Sequence, residues 1–175
     1  MKVGDPVIVS GTGRSLDEGK TWTDLHLFTE GWCGCLQDII QTSNGNIVVP
    51  GQELLYKEGR HITIPYVSSD DGKTWQRTRV LDIGGQGDHA GAVEGTVEEL
   101  KDGRLWLLMR SAHGYFYESY SSDQGLTWTD QVPSAIRSTS APGKLKRLAS
   151  GRLAMLWNPL PDAQYKTREL LVLSL

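Results

Sequence analysis

Glu94 and Arg110 are the pair in this 175-residue chain whose types and spacing point most directly to chemistry. A carboxylate can take up a proton or orient a nucleophile, and a guanidinium can grip a second carboxylate through two parallel hydrogen bonds. If Lys101-Asp102-Gly103 is a three-residue hairpin loop with a left-handed glycine, its strands carry Glu94 opposite Arg110. The two would meet at the end of the hairpin away from its turn. The same spacing also fits a plain cross-strand ion pair, which is worth little at a surface. Asp88 and His89 precede Glu94 in Gly87-Asp88-His89-Ala90-Gly91. A histidine there can bind a ligand hydroxyl or shuttle a proton, and it can equally serve local hydrogen bonds. His26, His61 and His113 stand in no such constellation. Trp106, Tyr115 and Tyr117 are able to stack on a ligand, although strand aromatics mostly fill cores.

Composition narrows the partners. The formal charge is −3, with 38% hydrophobic and 22% charged residues. No basic stripe favours nucleic acid, and no apolar run approaches a membrane span. The first residues, Met1-Lys2-Val3-Gly4-Asp5-Pro6, lack an apolar signal-peptide region, which leaves the compartment open. Cys33-Gly34-Cys35 offers two thiols, too few for a zinc site and too close for an unstrained disulfide. No metal or cofactor motif stands elsewhere, so none is expected.

The elements that must hold Glu94 and Arg110 come in repeats. Three octets, at residues 15–22, 68–75 and 121–128, all read Ser-x-Asp-x-Gly-x-Thr-Trp. Their serines are spaced by 53 residues both times, and one further period lands on Ser174, with Leu175 last. In each octet Asp can accept from backbone N–H groups of its own turn, and Gly supplies a positive φ. Trp can pack under the turn. A residue present in every repeat is a structural staple before it is a catalyst. Within one period, strands are predicted at 96–100, 104–110, 115–121 and 127–132, which makes four antiparallel strands per repeat. Repeats of that length and content predict propeller blades. The whole chain, 1–175, therefore reads as a single partial β-propeller domain of about three blades, all-β, entering a fourth octet at 174–175.

Aligned on their first hairpin glycine (Gly45, Gly103, Gly151), the blades differ where chemistry is expected. Seven residues onward stand Gln52, Arg110 and Asn158; nine residues back stand Leu36, Glu94 and Pro142. The fold does not require Glu and Arg at these places, since only one blade has them.

The octet resembles the Asp-box of sialidases, exo-acting glycoside hydrolases with six-bladed propellers. The run Glu94-Gly95-Thr96-Val97-Glu98-Glu99-Leu100-Lys101-Asp102-Gly103-Arg104-Leu105, ending in Arg110, resembles a sialidase stretch as well. The resemblance implies an exo-α-sialidase acting on terminal sialic acid of glycans. It implies that Arg110 belongs to a trio of arginines on the substrate carboxylate, and that Glu94 orients and deprotonates a nucleophilic Tyr. Asn158-Pro159 resembles the segment before a further triad arginine, for which Arg168 is the best match and Lys166 a rival. No Arg-Ile-Pro segment supplies the first triad arginine. Asp5 stands at a suggestive distance before the first octet, and the nucleophilic Tyr would lie past residue 175. Three readings follow: part of a sialidase-like enzyme, a half-propeller that two copies close as a homodimer, or a non-catalytic segment that binds an anionic sugar, a glycan or a protein.

Overall fold

The computed structural model describes residues 10–29, 33, 35–87, 89–160, 168 and 170–175, and among them every regular element is a β-strand. β1 (Gly11–Arg14) and β2 (Thr23–Leu27) form an antiparallel pair joined by the first octet. β3 (Ile40–Gln41), β4 (Ile47–Leu55), β5 (Arg60–Ser68) and β6 (Gln76–Arg77) form a four-stranded meander. β7 (Val93–Glu99), β8 (Leu105–Arg110), β9 (Tyr115–Ser121) and β10 (Val132–Arg137) form a second. β11 (Lys144–Arg147), β12 (Leu153–Trp157) and β13 (Val172–Ser174) form a three-stranded sheet. β13 lies beside β12 as β5 lies beside β4, which is the place predicted for the strand before an octet.

The inner strands read as near-continuous apolar runs because a blade is covered on both faces. On β8, Leu107 and Met109 face the preceding blade, packing in one core with Ile40, Val48 and Val67. Leu108 points the other way and packs with Phe116, Leu145 and Met155 of the next interface. Neighbouring Val48 and Val49 on β4 split between two cores in the same manner, as a period of two requires.

The three octets close identical turns. Asp17, Asp70 and Asp123 each accept the Ser hydroxyl at 2.8 Å. Each also takes the Thr N–H at 2.8–2.9 Å and the Thr hydroxyl at 2.6–2.7 Å. Gly125, at φ +97°, sits where a Cβ would meet Val48 Cγ2 of the preceding blade at 2.9 Å. Trp128 is 5% exposed in that interface, whereas Trp22 of the first octet is 63% exposed.

Two expectations are corrected. The fourth strand of the Glu94 blade runs at Val132–Arg137 and not at 127–132. Trp128 turns into the core, and Thr129 N–H donates to the Tyr120 carbonyl at 2.9 Å before the strand begins. Pro133, which has no N–H, is tolerated there because β10 is an edge strand. The hairpin register puts Thr96 opposite Leu108 as expected, but Val93, not Glu94, lies opposite Arg110. A bulge at Glu94-Gly95 absorbs the shift, with Glu94 at φ +47°.

Candidate functional site

Antiparallel meanders put alternate turns at opposite ends. The octets and the Leu100–Arg104 turn share one end; Glu94 begins β7 and Arg110 ends β8 at the other. Despite the register shift the two side chains meet: Arg110 Nη1 lies 2.5 Å from Glu94 Oε2. The guanidinium is 6% exposed and the carboxylate 21%. The pair is largely desolvated, unlike an exposed cross-strand ion pair.

Arg110 points its other edge at Ser140. Nε and Nη2 donate to the single Ser140 hydroxyl at 3.4 and 3.2 Å. Those contacts are long and shared, so this edge is the one a bidentate carboxylate would take. Arg168, which is exposed, brings its Nη2 to the Ser140 carbonyl at 3.1 Å. Two guanidinium groups thus converge on one residue, with one carboxylate beside them. Arg168 is the match the sequence offered; its rival Lys166, together with Asp5 and Asp88, lies outside the described residues.

His89 stands exposed at φ +63°, five residues before Glu94, on the link from β6 to β7. That link is stitched to the β4–β5 hairpin. Arg60 donates to both Asp82 oxygens at 3.0 and 2.8 Å, and Gly87 N–H donates to the Glu58 carbonyl at 3.1 Å. Its glycines follow from close approach: a Cβ on Gly91 would fall 2.0 Å from the His61 carbonyl oxygen.

Sequence reasoning missed two residues here. Gln52, in the blade-equivalent position of Arg110, accepts the Glu94 N–H at 3.1 Å. Its amide nitrogen lies 3.1 Å from His61 Nδ1, so His61 does join a constellation. Both are buried polar residues on strands, and the alignment that singled out Arg110 also pointed at Gln52. Cys35 is a free thiol whose pKa is raised by partial desolvation and then by the Glu94 charge, which places it near the same carboxylate. His113 pairs instead with Tyr117 OH at 3.1 Å and packs against Tyr115 and Tyr117. Trp106 is tied by its N–H to Glu118 at 2.9 Å. Among the described residues no cluster of His, Cys, Asp or Glu could hold a metal ion.

Residues 5–175 match the family described as BNR repeat-like domain. The chain belongs to that family. No curated protein matches it in sequence. Among solved structures, this BNR-repeat propeller is similar to a protein of unknown function from Dyadobacter fermentans, with TM-score 0.69 and 17% identity, over 87% of this chain and 47% of that one. It is similar to the intramolecular trans-sialidase of Ruminococcus gnavus bound to oseltamivir carboxylate, with TM-score 0.59 and 27% identity, over 83% of this chain and 32% of that one. An α-L-arabinofuranosidase of Fusarium graminearum bound to arabinobiose superposes with TM-score 0.63 and 15% identity, over 93% of this chain and 53% of that one. The BNR-repeat chain thus spans about half or less of the length of these structures. Its fold is the sialidase-like β-propeller also used by other glycoside hydrolases.

Proposed function

We propose that this BNR-repeat propeller carries part of an exo-α-sialidase site for the terminal sialic acid of glycans. The observation behind this reading is the convergence of Arg110 and Arg168 on Ser140 beside a single carboxylate, Glu94. Two guanidinium groups against one carboxylate leave a positive excess, which an anionic sugar would complement. Arg110 grips the sugar carboxylate through its Nε/Nη2 edge, displacing the Ser140 hydroxyl. Arg168 closes on the same group from the exposed side. Glu94, held by Arg110, is the residue that activates a nucleophile from elsewhere in the full site. His89, with Asp88, serves the sugar hydroxyls.

A second reading, a glycan-binding segment without turnover, draws on the same arginines, because binding needs the guanidinium groups and no nucleophile. Equilibrium binding of N-acetylneuraminic acid and hydrolysis of a fluorogenic sialoside, measured on the same protein, separate the two. Arg110→Lys keeps the charge and removes the fork, so affinity should fall about tenfold or more. Glu94→Gln should abolish hydrolysis while leaving much of the binding. Binding by the unmodified chain supports the arginine assignment that both readings share, and hydrolysis in addition selects the first. A chain that binds neutral arabinosides and ignores the acid would overturn both.

A further inference from the structure

Glu94 is held in a conformation that side chains other than glycine seldom adopt, at φ +47°. Such strain persists only where the surroundings over-determine it. The surroundings come from the neighbouring blade. His61 N–H donates to the Ala90 carbonyl at 2.9 Å, and Ala92 N–H returns to the His61 carbonyl at 3.2 Å. Thr63 Oγ1 donates to the Ala92 carbonyl at 3.1 Å. These bonds pin the segment entering β7 as far as Ala92. The next hydrogen bond to the neighbouring blade is from the Glu94 N–H itself, to Gln52 Oε1.

We infer that Gln52 is the positioning residue that fixes the Glu94 backbone in its left-handed turn and thereby aims the carboxylate at Arg110. The inference rests on the reading of Glu94 and Arg110 as one site. The orientation of the Gln52 amide follows from its partners. Its oxygen faces the Glu94 N–H, so its NH₂ must donate, and His61 Nδ1 must be the acceptor. His61 is then the tautomer protonated on Nε2. Gln52 and His61 are both 4% exposed, so water competes poorly for either bond. Gln52 occupies in its own blade the place Arg110 occupies in the next. One structural position therefore supplies the ligand-facing residue in one blade and its support in the neighbour.

Two measurements test this without any sugar. In the unmodified chain, the Glu94 amide should exchange with deuterium at least about 100-fold more slowly than a free amide. An unprotected amide overturns the inference, whatever becomes of any variant. In a crystal structure of Gln52→Met, which keeps side-chain bulk and removes both bonds, Glu94 should leave positive φ and release Arg110. Finding Glu94 in place with the ion pair intact overturns it as well. The functional readout is epistasis: Gln52→Met should weaken N-acetylneuraminic acid binding about tenfold alone and add little in a Glu94→Ala background, where no side chain remains to hold Arg110. If the unmodified chain binds no such sugar, the proposed function fails while the exchange and crystal results still decide the role of Gln52.

Discussion

At the residue scale, an octet aspartate and the site arginine answer to different forces. Asp70 is pulled down to a pKa of about 2, chiefly by the Thr74 hydroxyl and N–H and then by Ser68. Its folded pKa is depressed, so its contribution is fully present above the ordinary carboxylate range. It is lost as pH falls from about 4 toward 2. The midpoint of thermal unfolding should therefore drop across that window, and Asp70→Asn should flatten the drop while leaving sugar affinity per folded molecule unchanged. Arg110 behaves otherwise. The sequence suggested that Arg110→Ala would spare the fold, but the side chain is buried against Glu94. Truncation strands a part-buried carboxylate and should cost about 3 kcal/mol in urea unfolding. Arg110→Lys is the cleaner probe of binding for that reason.

At the element scale, blades are joined by polar links as well as by apolar cores. Asp38 sits just before β3, buried, and accepts Thr96 Oγ1 at 2.6 Å and Val97 N–H at 3.1 Å from β7. It also pairs with Lys144 of β11. One carboxylate thus ties together three inner strands, and Asp38→Ala should cost about 3 kcal/mol by leaving buried donors unmatched. A glycine pair separates backbone from packing effects. Gly45→Ala meets open space at φ +95°, while Gly125→Ala meets Val48 at φ +97°. Both should destabilise in chemical denaturation, Gly125→Ala by more. Much of this architecture was legible in the chain. The 53-residue period located the staples, and the turn residues of Asp102-Gly103, Ser111-Ala112-His113-Gly114 and the octet bounded β8 and β9. The convergence of Glu94 and Arg110 followed from hairpin counting even though a bulge shifted the register by one. What the sequence hid were contacts between blades. Gln52 to Glu94, Asp38 to Thr96 and Arg168 to Ser140 span 28 to 58 residues and depend on how sheets stack, which no local pattern encodes.

At the scale of the molecule, the two outer blades show faces that inner blades bury. Leu16, Trp22, Leu25 and Leu27 are exposed on the first sheet, as are Leu156, Leu171 and Leu173 on the last. The interior interfaces show the fit such faces accept: a Trp and a Gly from one octet set against the strands of the blade before. We propose that on the isolated chain a second copy supplies that fit at both faces, so light scattering should give twice the 19.3 kDa chain mass. Leu173→Asp together with Trp22→Asp should return it to a monomer. A monomer without those substitutions would argue against ring closure by two copies. The placement of the octets has a longer reach. Every octet turn described lies on the end opposite Glu94 and Arg110, so the repeated staples and the proposed ligand site are carried on separate rims. Links on the ligand rim can lengthen, shorten or exchange side chains while the far rim keeps the blades in register. A scaffold divided in this way can vary in specificity with little cost in foldability, which suits it to loop libraries as a host for new sugar chemistries.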